Sequence, residues 1–131
     1  RATYEPLLQR EPDNVLGLNN LAWALRDADG AEALRLATRA AEVAPDAPAV
    51  LDTLGTLKLR AGETDAAVTA LRKAVEQSNG NAAISLHLAQ ALVADDASGE
   101  AQRVLRDIKA ESLDDGERQA LARLKADLGM N

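Results

Sequence analysis

Residues 51–74 read LDTLGTLKLRAGETDAAVTALRKA, and that stretch decides the fold. Leu51, Leu54-Gly55, Ala67, Leu71 and Ala74 stand at helical spacings on either side of Gly62-Glu63. Small and apolar residues three and four apart mark one face of a helix, and Gly commonly stands just past a helix end. The stretch is therefore two helices joined by a turn. The same arrangement recurs before and after it. Leu21-Ala22, Leu54-Gly55 and Leu88-Ala89 are spaced by 33 and 34 residues. Ala33, Ala67 and Ala101 are spaced by 34 and 34, as are Ala37, Leu71 and Leu105, and Ala40, Ala74 and Ile108. Pro12, Pro45 and Asn79 follow at 33 and 34. Five registers agreeing on one period identify a repeat.

Composition agrees. Of 131 residues, 28 are Ala and 21 are Leu, so helix-forming residues dominate, whereas Phe is absent and Trp and Tyr occur once each. With so few aromatic and β-branched residues the chain is all-α, and its core must be assembled from many small contacts. Several functions are excluded together. There is no Cys, hence no disulfide framework, thiolate zinc site or cysteine nucleophile. The net charge is −6, with 21 acidic against 15 basic side chains, the opposite of the basic stripe that phosphate backbones require. No apolar run approaches the ~20 residues that span a bilayer.

The period predicts first helices over about 14–28, 48–61 and 82–95, and second helices over about 31–44, 64–78 and 98–110. Asp29-Gly30, Gly62-Glu63 and Asp96-Ala97-Ser98 supply the stops and N-caps between them. Pro48 falls in a first helical turn, where its missing N–H costs little. Tyr4, Leu7 and Pro12 precede Ala37, Ala40 and Pro45 by 33 residues, so residues 1–13 are expected to be the second helix of a truncated repeat. Repeats one to three then occupy 14–47, 48–81 and 82–111. Residues 112–131 close the array as a capping helix. Its start carries Asp114-Asp115-Gly116-Glu117 and its stripe Leu121, Leu124 and Leu128.

These residues resemble the tetratricopeptide repeat, a 34-residue helix–turn–helix unit with a Leu-Gly or Leu-Ala pair in its first helix and alanines in its second. Repeat two matches best, through Leu51, Leu54-Gly55, Gly62, Ala67, Leu71 and Ala74; Lys58 and Asn79 depart from the large residue and the proline usual there. The resemblance implies a right-handed α-solenoid whose first helices line a concave groove that binds protein or peptide. Helical spacing then turns a set of side chains inward. They are Asn19, Asn20, Trp23 and Arg26 from repeat one, and Asp52, Thr53, Thr56 and Arg60 from repeat two. Repeat three adds His87 and Gln90, with apolar Leu86 and Val93 nearby. The amides and hydroxyls suit an extended peptide, whose backbone needs such partners.

Two of these have a second reading. Trp23 either anchors a ligand or packs between successive first helices, and Asn20 either bonds a ligand backbone or ties neighbouring helices together. Some tetratricopeptide domains clamp a client's terminal carboxylate with Lys and Arg on first helices. Those cations are missing here, and Asp52 would repel a carboxylate. Asp95-Asp96 and Asp114-Asp115 lack the ligand spacing of a calcium loop and read as helix-end residues. A single His cannot assemble a metal site, and no nucleophile–base pair stands near it. The expectation is therefore a non-enzymatic interaction module with no metal and no cofactor.

A finer resemblance rests on Asn19-Asn20-Leu21-Ala22-Trp23, Ala44-Pro45-Asp46, Val50-Leu51-Asp52-Thr53-Leu54-Gly55 and His87-Leu88-Ala89. These phrases resemble the C-terminal repeats of bacterial tetratricopeptide proteins that accompany exosortase sorting and exopolysaccharide export, which implies a periplasmic or cell-envelope setting. The alternative is an assembly role, in which the apolar edge around Tyr4, Leu7 and Leu8 drives self-association or spaces other domains. On that alternative, Leu7→Glu converts an oligomer to a monomer in sedimentation. A parent chain already monomeric at high concentration removes it.

Overall fold

The computed structural model describes residues 14–130; the helix expected over 1–13, with its apolar edge, lies outside the described residues. Seven α-helices and no strand are found among those residues: α1 (Val15–Ala24), α2 (Gly30–Val43), α3 (Pro48–Arg60), α4 (Thr64–Gln77), α5 (Ala82–Ala94), α6 (Ser98–Asp107) and α7 (Asp115–Asp127). They pair as α1 with α2, α3 with α4 and α5 with α6. Each pair stacks on the next through α2 on α3 and α4 on α5, and α7 packs on α5 and α6. The first helices of neighbouring pairs, α1 with α3 and α3 with α5, also touch, whereas the second helices do not pack comparably. The stack is the helical solenoid that the period implies.

The small residues set the spacing within a pair. Ala22, Ala33, Ala37, Ala40, Ala67, Ala74, Ala89 and Ala101 have no accessible surface. At Gly55 an added Cβ would stand 2.5 Å from Cγ of Leu71, a side chain that is itself completely buried. Glycine here is therefore a packing requirement, since its helical backbone would accept any residue. Side chains of Leu18, Leu21, Leu25, Leu36, Val50 and Leu57 fill the core of repeat one, and Leu71, Leu86, Leu88, Leu92, Leu105, Leu113 and Leu121 fill the larger core toward α7.

Helix ends follow local chemistry. Asn14, Asp29, Asn81 and Asp114 accept bonds from N–H groups of the first turns of α1, α2, α5 and α7. Asp114 and Glu117 do so reciprocally, as a capping box. Gly62 closes α3 at φ +83°, with its own amide and that of Glu63 returning to the carbonyls of Leu59 and Lys58. One repeat later the same left-handed position is held by Asp96, at φ +63°. Asn79 is left-handed as well, at φ +57°. This explains why it replaces the proline of the repeat pattern, because a proline ring holds φ near −65° and cannot enter that region.

Two helices are shorter than the period predicts. α1 stops at Ala24, and a turn over residues 25–28, closed by the Asp29 amide on the Leu25 carbonyl, leads into α2. α6 stops at Asp107 instead of 110: Ile108 is extended, a 3₁₀ turn follows over Ala110–Ser112, and Ile108 and Leu113 are buried on either side of it. The chain leaves the helix early because both apolar side chains reach the core only if the backbone doubles back between them.

Polar ties join consecutive repeats at the surface. Arg60 pairs with Asp27, Arg72 with Glu100, and Lys73 with Asp46 at 3.0 Å. The guanidinium of Arg60 holds the Asp27 carboxyl below its ordinary range, and Arg72 does the same for Glu100. Such exposed pairs are screened by solvent and orient repeats more than they stabilise them.

Gly55→Ala tests the packing account. It should lower stability by about 1–3 kcal/mol through overpacking, despite the ~1 kcal/mol that alanine ordinarily gains over glycine inside a helix. Gly99→Ala in α6, where a Cβ meets nothing within 4 Å, should leave stability unchanged or raise it. Urea unfolding of the two variants measures the contrast.

Candidate binding groove

The first helices touch one another and the second helices make no comparable contact, the pattern expected of a stack that closes toward α1, α3 and α5. α7 takes the next place in that rank. These four helices carry the candidate groove, and a side chain's expected place on it follows from the period: Asn20, Thr53 and His87 share one register, and Trp23, Thr56 and Gln90 another.

On α1, Trp23 is 41% exposed and Leu16, two turns earlier on the same face, is 68% exposed. Trp23 therefore does not disappear between neighbouring helices. The Arg26 guanidinium lies over its ring, 4.3 Å from the centroid, and donates to the Trp23 carbonyl at 2.8 Å. Asn20 is half-buried. Asn19 is half-buried too, and its Oδ1 is enclosed with no direct hydrogen-bond partner. Arg60 stands at the groove margin, bound to Asp27 of the preceding repeat. Thr56 is half-buried, whereas Thr53 retains only 7% of its surface and contributes little to the wall.

The centre of the groove holds Asp52 of α3 and His87 of α5. Asp52 Oδ1 and His87 Nδ1 are 2.7 Å apart, and both side chains remain about a quarter exposed. The hydrogen bond to Asp52 raises the imidazole pKa above the ordinary 6.5; partial burial opposes this, and the negative charges of Asp52 and of Glu117 on α7 reinforce it.

Toward the cap, Leu86 departs from expectation. Predicted to lie beside the groove, it is 2% exposed and belongs to the core that also contains Leu121 of α7. Beyond it Gln90 faces α7 across a hollow of about 440 Å³ lined also by Gln119, Arg123, Leu124 and Asp127. Those α7 residues are absent from the expected set, yet a signal was present: Leu121-Ala122 follows Leu88-Ala89 by 33 residues, so α7 continues the first-helix register. Among the described residues no group of three or more His, Cys, Asp or Glu side chains is arranged to hold a metal ion, and no helix is long and apolar enough to cross a membrane.

Residues 58–128 match the family model of the tetratricopeptide repeat. The chain belongs to the tetratricopeptide repeat family. It is 37% identical over 73 residues to a TPR repeat-containing protein of Pseudomonas aeruginosa; the match covers 54% of this chain and 12% of that protein. Tetratricopeptide repeats generally mediate protein–protein interaction and are typically non-catalytic scaffolds, which agrees with a groove that presents amides, an aromatic ring and paired charges.

The Asp52–His87 bond has a pH signature. A raised imidazole pKa means that its contribution to stability is complete below the unfolded value near 6.5 and is lost as pH rises through the folded value. His87 is the only histidine, so its NMR titration is unambiguous. The midpoint should lie above 6.5 and fall in Asp52→Asn. The melting temperature of the parent should drop across the same interval, and His87→Gln should flatten that step.

Proposed function

We propose that this chain is the peptide-binding part of a larger scaffold, and that it holds an extended segment of a partner protein along α1, α3, α5 and α7. The single observation that carries the reading is the exposed strip on α1, where Leu16 and Trp23 flank Asn19 and Asn20 on the inner side of the curve. An apolar shelf beside carboxamides offers a side-chain anchor and backbone partners together, the combination an extended peptide requires. Asn20, Trp23, Thr56, Asp52, His87 and Gln90 are the contacts of the bound segment; Asn19 and Thr53 support the wall from beneath, and Arg26 and Arg60 frame its edge.

We further infer a bacterial envelope setting linked to protein sorting or exopolysaccharide export. Its support is the resemblance of the segments around Trp23, Pro45, Gly55 and His87 to repeats of such proteins, and a bacterial relative matched over 12% of its length is consistent with it. Fractionation of cells expressing the full-length gene product tests it: recovery in the cytosol alone would remove this setting while leaving the groove untouched.

The groove is tested with degenerate, end-capped hexapeptide pools added to the ¹⁵N-labelled chain. Amide and indole shifts should move on α1, α3 and α5 and stay still on α2, α4 and α6. Asn20→Ala combined with Trp23→Ala should weaken binding at least about tenfold, the effect of losing one aromatic anchor, with helicity unchanged. Shift changes confined to the second helices would transfer the site to the convex side.

A further inference from the structure

The charges on the groove wall are unequally satisfied. Arg60 is neutralised by Asp27, and Arg26 is spread over the Trp23 ring and carbonyl. Asp52 differs, because its partner is an imidazole whose positive charge is lost as pH rises through the imidazole's raised midpoint. When His87 is neutral, its bond to Asp52 persists as an ordinary hydrogen bond, but the carboxylate keeps a full negative charge. Asp52 remains partly open to the groove. The charged groups acting on His87 from the helices around it are Asp52 on α3 and Glu117 on α7, both negative. The two turns of α5 around it, from Ile84 to Ala91, carry no other charged residue. Among the described residues, the ion-pair partner of Asp52 is His87, so this acidic point is compensated by a charge that a change of pH removes.

We propose that Asp52, with His87 as its proton-carrying partner, is the subsite for a basic side chain of the bound peptide. The inference rests on the groove reading above and adds the partner's chemistry to it. An incoming Lys or Arg takes the place of the imidazolium charge, pairing with the Asp52 carboxylate from the groove side, so ligand cation and proton compete. The geometry also sets a spacing. α1 packs on α3 and α3 on α5, at about 8–10 Å between axes. The Leu16–Trp23 shelf on α1 and the Asp52–His87 point between α3 and α5 are therefore roughly one to one and a half helix spacings apart. An extended chain advances about 3.3 Å per residue, so an apolar residue on the shelf and a basic residue at Asp52 are three or four positions apart.

The test uses the whole chain and end-capped hexapeptide pools with Leu at the first position and Lys, Gln or Glu at the fourth or fifth. Binding is followed by NMR shifts, with the His87 imidazole and Trp23 indole as reporters. Above the imidazole midpoint the Lys pools should bind about tenfold or more tighter than the Glu pools, the scale of one charge-assisted bond. Below it, Lys-pool affinity should fall by up to about tenfold per pH unit, because one proton is released on binding. Bound Lys peptide should also lower the His87 midpoint. Asp52→Asn should abolish both the preference and the pH slope. His87→Gln should retain the preference and lose the slope, which decides the matter even if Asp52→Asn folds poorly. Pools that bind along α1–α5 with no charge preference, or a Glu pool favoured at low pH, would overturn the subsite and leave the groove. Absence of any shift along the first helices would overturn both.

Discussion

The structure depends on how closely two helices of a pair can approach, and that distance is set by residues with almost no side chain. Gly55 against Leu71 is the tightest instance. There the γ-carbon of one helix occupies the space that a β-carbon of the other would need. The alanines at related registers, all without accessible surface, extend the same constraint through the array. Small residues reduce the apolar area each helix buries, yet they let long leucines interdigitate at near-crystalline density. Among the described residues the core is consequently made of many thin layers with no buried aromatic side chain.

Close pairing has a second consequence. Once the first helices lie against one another and the second helices do not, the array bends, and the bend brings together side chains about 33 to 35 residues apart in sequence. Asp27 meets Arg60 and Asp52 meets His87 only for this reason. Asp52 and His87 occupy adjacent registers of successive repeats, so their bond is a diagonal one across the groove floor. A chain of weak ties of this kind adds little stability individually. Its effect is to orient one repeat on the next and to decide which charges the groove leaves uncompensated.

The pairing of helices, the capped starts of α2 and α7 and the buried alanines were legible in the sequence because each follows from local periodicity and local chemistry, whereas α4 and α6 start without a side-chain cap. Pro48 in a first turn, Asp114 with Glu117 as a capping box, and Gly62 past a helix end need no knowledge of what surrounds them. The early end of α6 was not legible. It results from Ile108 and Leu113 both seeking the same core, and the core is a property of three helices together. Leu86 was misread for the same reason: its register suggested the groove, but it is buried in the core that α5 shares with Leu121 of α7.

By itself, then, the sequence determined that the chain is a stack of helix pairs and roughly where each helix begins. A period and a set of caps are one-dimensional properties, and they survive any arrangement of neighbours. Tertiary structure alone decided which of the inward residues are available. It buried Thr53 and Leu86, tied up Arg26 and Arg60, left Trp23 open and joined Asp52 to His87. Exposure and charge pairing depend on groups a full repeat away, and only the curvature of the folded array brings them within bonding distance.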